Sequence, residues 1–567
     1  MDLQRLLIFG VFAFSAIFLW EAWQQEKQLK NPSPVVEVAP PLPADVPAPQ
    51  VVPPANGATD VPTHDDPSSS FATATASSSS ELPLITITTD LYIAKIDPVG
   101  GVIVDMALLK QPDSQDKNKP YRALQRDGGR YLVAQTGLLG AEMPNHHSVY
   151  QILTSQRELQ TDENEFQLRL GATATNGARV EQFFTFYRDS YVIDIGYVFH
   201  NDTSSAQSPS AYFQFTRDKQ EASKRNAMAP SAYTGPVVYD ETDKFVKVKF
   251  DEMDKLAIEP ERKLPYTPDN DNGWVAMIEH YFVTAWALPD GNHTQRRFFT
   301  RNVGNGKYTA GLILPFATIA PGASAEISVP MYAGPQEQDT LKALAKDLNR
   351  VVDYGMLTVI AAPMFWLLKF LHGLIGNWGW AIIAMTIIIR IVFYPLNAAA
   401  ARSMAKMRIA APKIKALQEQ FKDDKQQLQM KMMEMYKQEK INPLGGCLPI
   451  LVQMPFFIAL FWVLLSAAEL RYAPWLGWIT NLSAPDPYFI LPALYAISAF
   501  LQMRLSPTPV GDPMQARMLQ MMPVIFAVLF VFFPSGLVLY WFVGNLFQIG
   551  QQWHMNRMLE REAAAKT

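Results

Sequence analysis

Apolar and polar residues are distributed unevenly along this chain, and their pattern divides it into segments of different kinds. A first apolar stretch covers residues 6–20, and nearly all the other long apolar runs lie between residues 354 and 556. Between them, residues 82–345 alternate apolar and polar positions, which is typical of β-strands with one buried face. The pattern therefore predicts a β-rich domain attached to a helical membrane protein.

The N-terminal segment, residues 1–23, is predicted to be an uncleaved membrane anchor. A cleaved signal peptide is the rival interpretation, but a cleavage site needs small residues, and the bulky Trp20 and Trp23 stand at those positions. Residues 24–81 are rich in Pro, Ala and Ser and have no periodic apolar spacing. Such a segment cannot bury enough surface to offset its ordering entropy, so we expect a flexible tether.

Residues 82–345 are predicted to form a β-sandwich. Apolar and β-branched residues alternate with polar ones, as in LITITTDLYIAKI at 84–96, and Gly-Gly and Asp-Gly pairs separate the runs. No nucleophile elbow or phosphate loop appears, and the histidines show no metal-ligand spacing. These histidines are His146, His147, His200, His280 and His293. We expect a binding or scaffolding domain with no catalytic residue, metal or cofactor.

Five apolar segments are predicted to cross a membrane as one bundle within residues 377–556. Several of them are shorter than the roughly 20 residues that an ordinary bilayer requires, which favours local thinning of the membrane. Prolines inside them free backbone carbonyls, which favours a hydrated bundle, although membrane helices also simply tolerate proline. The spans are expected at 377–396, 448–468, 488–503, 518–533 and 536–549.

Residues 346–376 are predicted to be a linker followed by an amphipathic helix that lies in the membrane interface. The stretch 356–370 is apolar enough to cross, but a crossing there would place the segment 398–443 outside the cell. That segment holds ten Lys or Arg against five Asp or Glu, so the positive-inside rule assigns it to the cytoplasm. Both chain termini, including the tail 557–567, are then cytoplasmic, and the β-domain lies on the opposite side.

Arg390 is the most informative residue of the predicted bundle, because it lies inside the apolar run WAIIAMTIIIRIVFYPL. A charge at that depth costs about 2.5 to 3.5 kcal/mol on insertion scales, so it persists where water or a partner receives it. The deep parts of the other predicted spans contain Gln453 and Gln520 but no Asp or Glu. We therefore expect a positively charged, water-containing recess; the alternative is a side chain that reaches the nearer interface.

The segment 398–443 is predicted to be a cytoplasmic helical hairpin. Two sets of apolar residues recur at helical spacing, and Asp423 or Asp424 is placed to cap the second helix. The outer face carries a basic surface suited to anionic lipid, ribosomal RNA or a nascent chain. This basic surface consists of Arg402, Lys406, Arg408, Lys413 and Lys415. Since the net charge of the whole chain is -4, no specific DNA binding is expected.

Four motifs of the apolar part resemble the YidC membrane protein insertase family, in the Gram-negative form that has a large periplasmic domain. They are TIIIRIVFYPL at 386–396, INPLGGCLPILVQMPFFIALFWVL at 441–464, DPMQARMLQMMPVIF at 512–526 and FPSGLVLYW at 533–541. The resemblance implies a polytopic α-helical protein of the bacterial inner membrane, with an N-terminal anchor, a five-helix insertase core, a periplasmic β-sandwich and a cytoplasmic hairpin.

The resemblance also implies roles for particular residues. Arg390 would receive the polar segment of a substrate in a hydrophilic groove, and we assign Thr386, Gln453 and Gln520 to the same groove. The incoming transmembrane segment would then slide past Tyr540 and Trp541, where the family often has two tyrosines. Nascent membrane proteins, the Sec translocon, the ribosome and membrane lipids are the expected partners, and no cofactor is required.

Two other functions remain as alternatives. A secondary transporter or channel could use Arg390 to bind an anionic solute, but the bundle is short and no internal repeat is detectable. A membrane enzyme is the second alternative, and the lack of paired carboxylates or a His cluster at membrane depth weighs against it.

Overall fold

The computed structural model describes residues 60–62, 82–113, 116–140, 142–220, 233–259, 262–421, 424–438, 448–505 and 525–564. Its described residues fall into two compact units that meet in the sequence at residues 352 and 353. This division lies close to the predicted boundary at 345. The predicted anchor, 1–23, and Gln520 lie outside the described residues.

The unit before residue 353, here called the β-unit, contains two antiparallel sheets, each with nine strands among the residues described. In spatial order the first sheet consists of β1 (Ile85–Thr88), β2 (Tyr92–Asp97), β3 (Val102–Pro112), β4 (Pro120–Gln125), β5 (Leu132–Leu139), β10 (Ser210–Asp218), β17 (Lys307–Pro315), β16 (Arg296–Gly304) and β13 (Asp269–Asn270). The second consists of β12 (Lys244–Lys247), β11 (Gly235–Asp240), β14 (Trp274–Glu279), β15 (Phe282–Ala287), β18 (Ser324–Pro335), β9 (Val192–His200), β8 (Arg179–Tyr187), β7 (Glu165–Thr173) and β6 (Gln151–Ile152). Two short helices, α1 (Phe250–Ile258) and α2 (Gln338–Leu344), complete the unit.

The core of the β-unit lies between the two sheets, as the alternating pattern predicts. The buried indole of Trp286 on β15 lies 5.4 Å from the ring of Phe213 and 5.1 Å from that of Phe215, both on β10. Because β10 and β15 belong to different sheets, these aromatic contacts join them. The prediction that this part of the chain is β-rich is confirmed.

The unit after residue 352, here called the helical unit, contains seven regular helices among the described residues. They are α3 (Thr358–Ile375), α4 (Trp378–Val392), α5 (Tyr394–Gln420), α6 (Lys425–Gln438), α7 (Leu448–Ser466), α8 (Ile490–Leu505) and α9 (Ser535–Ala564). By length and composition alone, α3 is the one described helix that suits a membrane crossing. The helices α7 and α8 are shorter apolar helices, so a bundle of five spans stays a prediction.

The helix α3 is apolar on both faces. One face buries Met364 and Leu368, while the other leaves Trp366 and Leu374 exposed. A helix confined to the interface usually carries a polar face, and here the polar residues are only Thr358 at the start and Lys369 and His372 toward the end. The length and the exposed apolar face suit either a crossing or a position in the interface, so the predicted interfacial placement is not tested.

The predicted span 377–396 is broken. The helix α4 ends at Val392, and α5 begins at Tyr394 after a bend of 55°. Pro395 stands in the first turn of α5, where its missing N–H costs nothing, and the residue before a proline is biased away from helical geometry. The first helix of the hairpin therefore begins at 394, earlier than the predicted residue 398.

The helices α5 and α6 form the predicted hairpin. Ala410 and Ile414 of α5 are buried against Met435 of α6. The carboxylate of Asp424 accepts hydrogen bonds of 3.0 Å from the backbone N–H groups of Gln426 and Gln427. Asp424, which is one of the two residues predicted for this role, therefore caps the second helix.

Candidate functional site

Arg390 lies in the last turn of α4, partly buried, where α4 packs against α9. Its Nε is buried and has no hydrogen-bond partner within the part of the chain that the structure describes. Tyr540 of the facing helix α9 is buried and lies near this guanidinium. The guanidinium therefore has no carboxylate partner among the described residues, and the water-containing recess stays a prediction.

Gly544 provides the room for this guanidinium. A Cβ at position 544 would lie 2.6 Å from Nη2 and 3.3 Å from Nε of Arg390. Tyr540 lies four residues earlier on α9 and therefore on the same face of that helix. Tyr540 and Gly544 thus bring a phenol and a bare stretch of backbone near Arg390, and sequence reasoning missed Gly544. The available signal was a glycine one turn after Tyr540.

The other predicted groove residues differ in how their polar groups are satisfied. Thr386 is fully buried, and its hydroxyl donates a hydrogen bond of 2.7 Å to the carbonyl oxygen of Ile382 in the same helix. Gln453 of α7 is partly buried, and its side-chain nitrogen has no hydrogen-bond partner among the residues described. Gln453 therefore offers a free donor, whereas the hydroxyl of Thr386 is already in use.

Tyr540 and Trp541 point to different neighbours, because successive residues of a helix are about 100° apart. Tyr540 is buried on the side of Arg390. The indole of Trp541 lies 4.6 Å from the ring of Phe457 on α7 and 5.7 Å from that of Phe530. The two residues thus belong to two environments, a polar recess and an aromatic cluster, whereas the sequence treated them as one pair.

The loop between α7 and α8, residues 467–489, folds over the ends of four helices. The side-chain amide of Asn377 donates a hydrogen bond of 3.0 Å to the carbonyl of Pro474, and the hydroxyl of Ser535 donates one of 2.7 Å to that of Ala484. Trp475 packs so closely on α4 that a Cβ at Gly379 would lie 2.2 Å from its indole. This end of the bundle is therefore covered by ordered backbone.

A buried carboxylate organises the same loop. Asp486 is 1% exposed. It accepts hydrogen bonds from the indole N–H of Trp478, at 3.1 Å, and from the backbone N–H of Leu491, at 2.7 Å. Asp486 thus joins the loop to the first turn of α8. These hydrogen bonds account for its burial, and no role in binding a substrate is needed to explain it.

The basic surface of the hairpin is described only in part. The side chains of Arg402 and Lys413 on α5 are exposed. Those of Lys406, Arg408 and Lys415 lie outside the described side chains. On α6, Met430 and Met433 are each 62% exposed, so the hairpin presents flexible apolar side chains as well as charge.

Comparisons with known proteins agree over nearly the whole length. The family model described as 60Kd inner membrane protein matches residues 370–562, and that described as YidC periplasmic domain matches residues 84–367. A membrane protein insertase YidC of Aromatoleum aromaticum is 46% identical over 565 residues, which are 99% of each chain. One of Nitrosospira multiformis is 44% identical, covering 100% of this chain and 98% of its own. A crystal structure of an active YidC insertase aligns over 84% of this chain and 92% of its own, at 17% identity and a TM-score of 0.36.

Proposed function

Because this chain belongs to the YidC family of membrane protein insertases, we propose that it inserts nascent membrane proteins by lodging their polar segments temporarily at Arg390. The chain is a bacterial inner-membrane insertase with a periplasmic domain, and not an enzyme. A transporter or channel that binds an anionic solute has no support among the relatives.

The observation that carries this proposal is the guanidinium of Arg390 opposite Gly544, which has no ion-pair partner among the residues that the structure describes. A hydrophilic tail that enters such a recess keeps polar partners and avoids much of the cost of crossing hydrocarbon. An acidic tail gains most, because its charge meets a cation in a medium of low dielectric constant. Gln453 is proposed to add a hydrogen-bond donor, and Gln520 is proposed to belong to the same groove.

Release of the substrate is proposed to follow from its own hydrophobicity. Once the polar tail has left, the apolar span gains free energy by moving into lipid. The aromatic surface around Trp541, with Tyr540 and Thr386 at the recess, is the proposed path. The indole offers only an N–H donor, so contact there rests on apolar and aromatic packing.

The proposed groove opens to cytoplasm and lipid and is closed toward the periplasm. The covering loop 467–489 supports this direction, because it joins α4 at Asn377 and α9 at Ser535 by hydrogen bonds. The proposed topology has both termini in the cytoplasm and five spans after α3, with α3 in the interface. The exposed Trp366 at mid-helix and Leu374 near its end suit contact with lipid.

Further partners are proposed from the chemistry of the surfaces. The basic surface on α5, with Arg402 and Lys413 exposed, suits the ribosome and anionic lipid headgroups. The exposed methionines of α6 suit apolar segments of varied sequence. The periplasmic β-unit is the proposed contact for the Sec translocon.

Replacing Arg390 tests the proposed function. We expect Arg390→Ala to reduce insertion of a single-span substrate with an acidic translocated tail several-fold, and insertion of one with a neutral tail much less. The measurement is protease protection of the tail in vesicles that contain the variant at the wild-type level. The matched control is Ile391→Ala, because Ile391 is the exposed neighbour of Arg390. Equal insertion of both substrates by Arg390→Ala would refute the role of the charge.

A further inference from the structure

Three side chains from distant parts of the sequence converge on the β-unit. Asp60 belongs to the short segment 60–62, inside the predicted tether, and His146 and His147 belong to the loop after β5. One carboxylate oxygen of Asp60 lies 3.0 Å from Nε2 of His146, and the other lies 2.8 Å from Nε2 of His147. The donor atoms of the three residues all lie within 4.8 Å of one another.

His146 is fixed with one ring nitrogen aimed at this cluster. Its side chain is 1% exposed. Its Nδ1 lies 2.5 Å from the hydroxyl of the fully buried Tyr212, which also accepts a hydrogen bond of 3.2 Å from the backbone N–H of His146. Nε2 is buried and has no hydrogen-bond partner in the described part of the chain, although a carboxylate oxygen of Asp60 lies 3.0 Å away. Metal-binding histidines are typically oriented in this way, through the nitrogen that does not bind the ion.

Asp60 is held by its backbone, which leaves its carboxylate free to face the two imidazoles. The guanidinium of Arg301 donates a hydrogen bond of 2.6 Å to the carbonyl oxygen of Asp60, and the amide of Gln214 donates one of 3.2 Å to the same atom. The next residue, Val61, packs against a small apolar cluster that includes Tyr212 and Phe299. The segment is therefore docked on the domain in a defined position.

We propose that Asp60, His146 and His147 bind one divalent metal ion of the zinc class. Two imidazoles and one carboxylate form a donor set typical of three-ligand zinc sites, whereas Ca²⁺ and Mg²⁺ prefer oxygen ligands. Zinc–ligand bonds of about 2.0 to 2.2 Å place tetrahedral ligands roughly 3.3 to 3.6 Å apart. Withdrawal of the carboxylate by less than about 1 Å therefore makes room for the ion, and a fourth position stays open to water.

Binding of a metal ion by these three side chains needs an ionised carboxylate and neutral imidazoles. The positive charge of Arg301 opposes a cation, so we expect weaker affinity than that of a four-ligand structural zinc site.

A bound ion would fasten residue 60 to the β-unit. Sequence spacing misses the site because its third ligand comes from 86 positions before His146 in the chain. The adjacent histidines were visible in the sequence, but neighbouring positions alone do not define a metal-ligand pattern.

The experiment uses the purified full-length chain in detergent, with any affinity tag removed and metals stripped by a chelator. We expect Co²⁺ to bind at one ion per chain with visible absorption bands, and Zn²⁺ to displace it. Asp60→Asn and His147→Ala should each weaken Co²⁺ binding at least about tenfold. These two residues are more exposed than His146, so their replacement should leave the core of the β-unit folded. Circular dichroism of each variant checks that the fold is retained. His293→Ala is the control, since this exposed histidine pairs only with Asp271 among the described carboxylates.

The outcomes are decisive in both directions. Absence of stoichiometric Co²⁺ binding by the wild type overturns the proposal. The three side chains would then only hold the segment 60–62 on the β-unit through hydrogen bonds. Binding that survives in either Asp60→Asn or His147→Ala with unchanged affinity also overturns it, because the ion must then lie elsewhere.

Discussion

At Arg390, one missing Cβ on the facing helix decides how much space the guanidinium has. Gly544 contributes no side chain, and Nη2 of Arg390 occupies the position that a methyl group would claim. A glycine inside a helix costs about 1 kcal/mol relative to alanine. The glycine therefore makes α9 less stable at the point where the guanidinium of Arg390 occupies the space beside it.

Gly544→Ala should impair insertion while leaving the fold intact. The added methyl displaces the flexible end of Arg390 from its recess, so we expect several-fold lower insertion of an acidic-tailed substrate. Thermal stability should stay equal or rise slightly, because alanine favours the helix. Insertion by protease protection and unfolding by circular dichroism are the two measurements.

Gly550→Ala is the matched control for this variant. It lies on the same helix, and a Cβ there would meet nothing within 4 Å. It should gain the same helix propensity without loss of insertion. Equal insertion by both alanine variants would contradict the role assigned to the space at 544.

Among the strands, the end of β14 carries a buried charge that holds three elements together. The carboxylate of Glu279 accepts a hydrogen bond of 2.7 Å from the hydroxyl of Tyr121 and forms ion pairs with Arg130 and with Arg217, the latter at 3.2 Å. Tyr121 lies on β4 and Arg217 on β10, so a residue of one sheet binds two strands of the other. The alternating pattern of the sequence does not predict that Glu279 pairs with residues of the other sheet.

Glu279→Gln should destabilise the β-unit by about 3 to 5 kcal/mol at neutral pH, because it leaves buried guanidinium groups without their counter-charge. Urea unfolding, followed by tryptophan fluorescence, measures the loss. The control is Glu326→Gln on β18, where the side chain is exposed and a change within about 0.5 kcal/mol is expected.

The loss of stability caused by Glu279→Gln is expected to depend on pH. Burial would raise the pKa of Glu279, but Arg130 and Arg217 outweigh burial and lower it. A lowered pKa stabilises the folded state above the ordinary glutamate pKa of about 4.3, and this contribution is lost as the pH falls below that value. The difference between wild type and Glu279→Gln should therefore shrink in acid, and a constant difference would refute the ion-pair explanation.

The loop over the helix ends gives a further prediction for the packing of α4. Gly379→Ala places a methyl group against the indole of Trp475, and such overpacking typically costs 1 to 3 kcal/mol. We expect faster proteolysis within 467–489 and a lower melting temperature in detergent. Gly373→Ala is the control, because a Cβ there meets nothing within 4 Å. Unchanged proteolysis in Gly379→Ala would show that the loop does not depend on this contact.

For the molecule as a whole, periodicity in the sequence predicted the elements better than the contacts between them. The alternation at 84–96 predicted the first two strands of the β-unit, and the apolar run around Arg390 predicted the helix α4, because both follow from local burial. The closeness of Gly544 to Arg390 and the convergence of Asp60 on His146 depend on contacts distant in sequence. No period encodes such contacts.

The last helix runs without a break through 30 residues, Ser535–Ala564, which is about 45 Å at 1.5 Å per residue and exceeds the roughly 30 Å of a hydrocarbon core. Such a rod is stiff along its axis. In the proposed topology its far end lies in the cytoplasm, so a push there by a docked ribosome would reach Gly544 and Tyr540 with little loss. That topology therefore couples mechanical load on the end of α9 to the surroundings of Arg390 through a single element.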